Sequence, residues 1–474
     1  MVRLSQPAAR PVPGRPASPP QVLLIVSAGV VLASLDLFIV NVALPAIARD
    51  FHGARLSELS WVLNGYAIVY ASLLVLFGRL ADRYRRDLGF LAGVALFTVA
   101  SAMCAAATGV AMLVVFRLIQ AAGAALLTPT SLGLVLASYP PQRRSGAVRA
   151  WTAAGGVAAA LGPVAGGLLV AASWRWVFLV NVPVGLAALA VGWRKLPHIA
   201  GHPTPLPDAA GALLVTAGIG LLSFGLVEGG DWGWASPATV SVLAASLVLL
   251  GLFALRCLRH HNPLIEPGLF RHRPFAGASM VALLFSASFG AMLLSVVLWE
   301  QNDWGWSALR AGLAIAPGPL MVPLFSFAVA GRLIARFGAA VVVTLGSAVF
   351  AAGLAWWAVA IGLRPDYPGG MLPGMLLTGA GVGLTLPTLM ATAAAALPPS
   401  SFATGSAAVN MIRQIGLAVG VALLVAVLGA PASPAARLAA FRHGWWLAAG
   451  LAVAGLLPTV ALLRRGQPGP AVRR

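Results

Sequence analysis

Fourteen apolar stretches, each long enough to cross a bilayer, limit what this chain can fold into. A spanning helix needs about 20 mainly apolar residues. Stretches that qualify lie at 21–44, 60–80, 88–108, 110–136, 148–172, 177–194, 208–227, 237–257, 275–298, 308–333, 339–362, 369–393, 405–428 and 443–464. In hydrocarbon only helices and closed barrels satisfy their own backbone. Runs of this length read as helices, so the expected class is an all-α polytopic membrane protein. Composition agrees: 59% of the residues are hydrophobic and 9% charged, against about 25% charged in a soluble domain. The first run is too long for a signal-peptide core and reads as an uncleaved helix. Residues 1–20, rich in Pro, Ala and Arg, read as a disordered basic tail.

The net charge of +19 does not point to nucleic acid, because the basic residues are scattered over short gaps between apolar runs. An even number of spans puts both termini on one side. With that side cytoplasmic, twenty-two Lys and Arg fall on inside segments, seven fall outside, and Arg117 and Arg413 lie within helices. This obeys the positive-inside rule. It sets most of the excess charge against anionic cytoplasmic lipid. The expected location is a bacterial inner (plasma) membrane, with both termini cytoplasmic and the chain a monomer.

Two internal matches point to a duplication. Gly78-Arg79-Leu80-Ala81-Asp82-Arg83-Tyr84 after the second span is echoed by Gly331-Arg332-Leu333-Ile334-Ala335-Arg336-Phe337 after the tenth, 253 residues on. Ala122-Gly123-Ala124 with Pro129 is echoed by Ala380-Gly381-Val382 with Pro387, 258 residues on. A shift of eight spans fits two six-helix halves with two helices inserted between them. The expected division is a tail at 1–20, an N-terminal half at 21–194, inserted helices and loops at 195–274, a C-terminal half at 275–464 and a tail at 465–474. Parallel halves of this kind describe a secondary transporter that rocks about a central site.

Other chemistries lack their residues. A phosphate-binding loop needs Gly-Lys-Ser/Thr, and the only lysine, Lys195, sits in Arg194-Lys195-Leu196. Cys104 and Cys257 form no framework, and the histidines, His260-His261 included, show no ligand spacing. No enzyme activity, cofactor or metal site is expected.

Asp36 lies inside the apolar run that begins at Val22, in Leu32-Ala-Ser-Leu-Asp36-Leu-Phe-Ile-Val-Asn41-Val-Ala-Leu-Pro45. An ionised carboxylate at a bilayer centre costs about 2.5–3.5 kcal/mol on insertion scales. Such a group faces a polar interior, pairs with another residue or binds a proton, so Asp36 is a candidate proton or cation site, the alternative being a structural carboxylate hydrogen-bonded between helices. It is the only acid well inside a predicted span, and no second one is expected in the carboxyl half. Arg117 and Gln120 share a helix face at i, i+3 spacing, as do Asn410 and Arg413. An intramembrane Arg must likewise pair or face water. Gly162-Pro163 with Gly166 and Gly167 strips side chains from the fifth span, which permits close helix contact and a kink. Trp61 and Tyr66 are candidates to stack on flat apolar substrates. Trp174, Trp176, Trp232, Trp234, Trp304 and Trp306 stand at helix ends and read as the interfacial belt.

These residues resemble the major facilitator superfamily, and within it the fourteen-helix drug–proton antiporters of the QacA/EmrB type. The resemblance covers nearly all of 21–464. It rests on Leu35-Asp36 through Asn41-Val42-Ala43-Leu44-Pro45, on Trp61-Val62-Leu63 with Gly65-Tyr66, and on Gly78 through Arg83. Arg117 with Gln120, Gly162 through Gly167, Trp174-Arg175-Trp176 with Asn181 and Pro183, and Arg413-Gln414 with Gly416 complete it. Arg85 departs from the pattern where Gly is usual. The resemblance implies a proton-coupled exporter of amphipathic small molecules. In it Asp36 and Arg117 handle the proton, and Gly78, Asp82 and Arg83 act as a conformational latch. Gly162, Pro163, Gly166 and Gly167 seal a leak path, and Trp61, Tyr66, Asn41, Gln120, Asn410 and Arg413 line the substrate cavity. The alternatives are an uncoupled facilitator or importer and, further off, a membrane sensor.

Overall fold

A computed structural model describes residues 17–52, 54–199, 207–397 and 402–459. The expected tails therefore lie largely or wholly outside the described residues. Fourteen long helices carry the chain back and forth, and no strand occurs among the described residues. They are α1 (Pro19–Asp50), α2 (Leu56–Arg83), α3 (Arg86–Ala105), α4 (Val110–Ser138), α5 (Pro141–Ala172), α6 (Trp176–Lys195) and α7 (Ala209–Trp232). The rest are α8 (Pro237–Arg259), α9 (Arg273–Asp303), α10 (Ala308–Phe337), α11 (Ala339–Ala360), α12 (Tyr367–Ala395), α13 (Phe402–Leu428) and α14 (Pro434–Ala454).

Thirteen of these, all but α14, are long and apolar enough to cross a membrane. The last predicted span, 443–464, is shifted. α14 starts at Pro434 because Ser433 caps it, its side chain accepting from the Ala436 N–H at 3.2 Å. Residues 460–464 lie outside the described residues.

α9 overturns a sequence expectation. The predicted span ends at 298, where apolar residues give way to Glu300 and Gln301. The helix instead continues to Asp303 through a π turn, Trp299–Asp303. Hydropathy ended the span early because it weighs each polar side chain as though it met lipid, whereas these are packed inside the bundle.

Packing repeats along the chain. α3 pairs with α4 and α11 with α12; α1 pairs with α5 and α9 with α13; α2 lies on α4 and α10 on α12. Helices distant in sequence meet as α2 on α13 and α5 on α10. Contact between α5 and α10 is concentrated in Ala308–Ile315, the first part of α10. This end of the bundle also holds Asp50 and Asp303, opposite the arginine-rich end that holds Arg79, Arg83 and Arg259.

α7 and α8 pack on each other, and α7 leans on α2 and α13. α8 keeps Leu247, Val248 and Leu258 exposed, as a lipid-facing helix would. A clamp joins the two at the arginine-rich end. Asp208 is buried at the N-cap of α7. Its Oδ1 accepts from the Gly211 N–H at 2.8 Å and from Arg256 Nε at 2.7 Å. Burial works against the charged carboxylate, yet the Gly211 N–H and the Arg256 guanidinium hold Asp208 below the usual carboxylate range. A depressed folded-state pKa adds stability that is complete above the unfolded value, about 3.9, and is lost as pH falls through the folded one. Asp208→Ala should therefore cost about 1–2 kcal/mol at neutral pH. The check is the thermal midpoint of purified protein in detergent, where the gap from the parent should narrow steadily on acidification.

Candidate functional site

α1 turns Asp36 inward, where it is fully buried. Its Oδ2 accepts a close hydrogen bond from Arg117 Nη1 of α4, forming an ion pair with both side chains at 0% exposure. Its Oδ1 accepts from Gln120 Nε2 at 2.9 Å and from Asn181 Nδ2 of α6 at 3.2 Å. Ser101 Oγ of α3 accepts from the same two amides, at 2.6 and 3.3 Å. Arg117 also donates from Nη1 to Gln120 Oε1 at 2.6 Å and from Nε to the Val62 carbonyl of α2 at 3.2 Å. Five helices thus meet on one carboxylate and one guanidinium. Both charges of the pair make further hydrogen bonds, which offsets part of the cost of burying them, while Arg117 Nη2 has no partner among the described residues.

The i, i+3 reading of Arg117 and Gln120 corresponds to this geometry, since one helix face delivers both to Asp36. Tyr66 is placed differently. Its ring lies under Arg117, with the guanidinium carbon 4.1 Å from the ring centroid. Tyr66 and Gln120 are both buried in the network rather than turned to an open cavity, because a guanidinium takes up their polar and π surfaces. Trp61 packs on Phe224 of α7, ring centroids 6.1 Å apart. Asn41 does line a space. With Leu37, Leu63, Asn64, Gly290, Leu293 and others it walls a pinched cavity of about 20 Å³ between α1, α2, α9 and α13. Both amide atoms of buried Asn64 lack a hydrogen-bond partner among the described residues. On α13, Arg413 Nη1 donates to Asn410 Oδ1 at 3.2 Å.

The glycines of α5 face two ways. A methyl group at Gly162 would sit 2.5 Å from Phe38 Cβ, and one at Gly166 would sit 3.2 Å from the Ile39 carbonyl oxygen, both on α1. Gly167 faces α10, where the added carbon would lie 2.7 Å from the Ala308 carbonyl oxygen. Gly312 of α10 in turn accommodates the Pro163 carbonyl. The motif is a two-sided contact that holds α5 against α1 and against α10.

At the arginine-rich end, Arg79 donates to Asn262 Oδ1 at 2.7 Å and pairs with Glu266 at 3.4 Å, which ties the last turns of α2 to the loop after α8. A methyl group at Gly78 would sit 3.7 Å from Pro129 Cβ of α4, and Arg83 lies 6.0 Å from the Tyr84 ring centroid. The Asp82 side chain lies outside the described residues.

Sequence reasoning missed four polar residues. Ser101 and Asn181 complete the Asp36 network. Asn181 was visible in the Trp174–Pro183 hairpin, whereas a lone serine in a span carries no signal. Asn64 lines the cavity, and Glu300 is buried within α9. Glu300 corrects the expectation that the carboxyl half buries no second acid within a helix, and it stands two residues past the predicted end of that span. The tryptophan belt is also only half right, for Trp174, Trp304 and Trp306 are buried while Trp176, Trp232 and Trp234 are exposed.

Comparison with known proteins supplies the family. The Major Facilitator Superfamily pattern matches residues 26–421. A probable actinorhodin transporter of Streptomyces coelicolor is 35% identical over 424 residues, 86% of this chain and 72% of that protein. A cephamycin export protein of Amycolatopsis lactamdurans is 34% identical over 448 residues, 92% of this chain and 91% of its own. The solved structure of the POT family transporter PepTSo matches with a TM-score of 0.68 at 18% identity, covering 95% of this chain and 99% of that one. That likeness shows a shared fold for a bundle that carries a buried Asp–Arg pair. The chain is a multi-pass membrane protein and belongs to the Major Facilitator Superfamily.

Proposed function

We propose that the chain exports amphipathic small molecules, antibiotics or a producer's own secondary metabolites, by alternating access coupled to protons. The observation that carries the coupling is the buried Asp36–Arg117 pair with its amide and hydroxyl partners. The export direction is supported by relatives named for antibiotic transport and export. The arginine-rich end is taken as cytoplasmic by the positive-inside rule, in a bacterial inner membrane. The moving bodies are the halves 21–194 and 275–464, with 195–274 inserted between them. The repeated helix pairings support that division.

In this reading the outer end is closed, with two contacts joining the halves beside a cavity of about 290 Å³ lined by Leu44, Ala48, Leu298 and Arg437. Gly167 packs on Ala308, and Gln301 Nε2 of α9 donates to the Val42 carbonyl of α1 at 2.9 Å. Asp36 is paired with Arg117, the state expected after a proton has left. A proton and Arg117 compete for the same carboxylate. Protonation removes the charge that holds the guanidinium, so α1 and α4 are freed from each other. A proton arriving from outside and leaving inside thereby drives the cycle. Asn41, Asn64, Asn410 and Arg413 supply polar contacts for a substrate in the reopened centre.

The test is efflux of a panel of toxic compounds from an efflux-deficient bacterium that expresses the chain, with and without a protonophore. Compound-specific efflux that stops with the protonophore supports the reading. Efflux that is indifferent to it identifies an uncoupled facilitator.

A further inference from the structure

Glu300 has no role in the scheme so far, yet it is the most anomalous side chain in the bundle. It is 0% exposed, and both carboxylate oxygens lack a hydrogen-bond partner among the described residues. It lies in the π turn that ends α9. A π turn adds a residue to the helical ring and redirects the side chains that follow. Here Glu300 and Gln301 are both buried.

The charged and titratable groups nearby are accounted for. Asp303, on the same turn, is held by Arg437 of α14 at 2.9 Å. Arg310 of α10 lies over the Trp306 ring, 4.1 Å from its centroid. Arg442 of α14 donates to the Ile361 carbonyl at 3.1 Å. Tyr367 of α12 donates its hydroxyl to the Ala314 carbonyl at 2.9 Å. Arg437 and Arg310 are committed elsewhere, and Arg442, whose Nε has no partner among the described residues, makes no hydrogen bond to Glu300 either. An ionised carboxylate without a partner in such a place costs far more than the neutral acid.

We propose that Glu300 is a second proton-binding site, set in the outer gate, and that the proton it takes up favours closure. Its neighbour Gln301 makes the hydrogen bond to Val42 that joins α9 to α1 across the closed end. Glu300 therefore sits beside the seam that must part when the outer end opens. Opening the seam admits water to the turn and allows the carboxylate to ionise. Closing it expels water and requires the proton to be on. The ligand is a proton from the outer solution, and binding converts the carboxylate to the carboxylic acid. This goes beyond the role given to Asp36, but it uses the closed-outside reading above.

Two measurements on the full-length protein in lipid test it. The first is infrared spectroscopy of the carboxylic-acid carbonyl stretch. A protonated-acid band should be present in wild type and in Asp36→Asn, and absent in Glu300→Gln and Glu300→Leu. The second is the distance between spin labels at Arg49 and Ala432, two exposed positions at the outer end. In wild type and in Asp36→Asn it should lengthen as pH rises, whereas in both Glu300 variants it should stay short at every pH. The Asp36→Asn background keeps a failure of Asp36 coupling distinct from a failure here. Either of two results overturns the proposal: an acid band that survives in both Glu300 variants, or a distance that follows pH in them as in wild type. A wild-type distance that follows sodium or potassium at fixed pH also overturns it, by making the site a cation site.

Discussion

Asp36→Asn should reduce transport driven by a pH gradient, in vesicles holding equal amounts of folded protein, to the level of protein-free vesicles. The variant keeps the size of the side chain but cannot exchange a proton. Its stability will fall as well. Asp36 accepts three hydrogen bonds, all from donors on Arg117, Gln120 and Asn181. An asparagine amide in its place faces some of those donors with a donor of its own. It also leaves Arg117 buried without a counter-charge. Losing one partner of a buried ion pair costs about 3–5 kcal/mol.

Part of that cost is recoverable, and this separates structure from mechanism. Arg117→Gln removes the orphaned charge. The double variant Asp36→Asn/Arg117→Gln should be more stable than the two single losses added together, because the pair acts as a unit. Transport should stay absent in all three. Thermal midpoints supply the stability cycle and a pH-jump flux assay supplies transport. Undiminished pH-driven flux in folded Asp36→Asn would sink the proton assignment.

What could be read from the sequence follows from what lipid penalises. A carboxylate and a guanidinium inside apolar runs are costly enough to stand out, so Asp36 and Arg117 were legible, and the spacing of Arg117 and Gln120 fixed a shared face. Ser101 and Asn181 were not legible as partners, because a hydroxyl or an amide costs too little to demand explanation by itself. Tyr66 was visible as an aromatic, but nothing in its neighbours told which helix it would meet. Glu300 escaped because a span was judged by hydropathy, and a π turn carried polar residues past its apparent end into the packed interior. The helices themselves were legible nearly throughout, since length and apolarity are what a bilayer requires. The main displacements came where local chemistry outweighed hydropathy, as with the Ser433 cap that starts α14 early.

The other large effect concerns α5, where the structure separates two glycines that the motif presents together. Gly166 faces α1, a neighbour within the same proposed half. Gly167 faces Ala308 and Leu309 of α10, in the other half, where an added carbon would lie 2.7 Å from one backbone oxygen and 2.8 Å from one Cα. Backbone cannot swing aside as a side-chain tip can, so Gly167→Leu must push α5 and α10 apart at the outer end. Overpacking of this kind costs about 1–3 kcal/mol. Here that cost falls on the closed state alone, because the contact exists only when the two helices meet. By the exponential relation between free energy and population, about 1.4 kcal/mol shifts the open-to-closed ratio tenfold. Gly167→Leu should therefore raise passive proton leak in vesicles roughly tenfold or more, with little loss of thermal stability. Gly166→Ala, with 3.2 Å to the Ile39 oxygen, strains contacts inside one half and should lower the thermal midpoint without opening a leak. Gly312→Leu, pressing on the Pro163 carbonyl from the opposite side, should reproduce the leak. A tight Gly167→Leu or a leaky Gly166→Ala would show that the seal lies elsewhere than on the α5–α10 face.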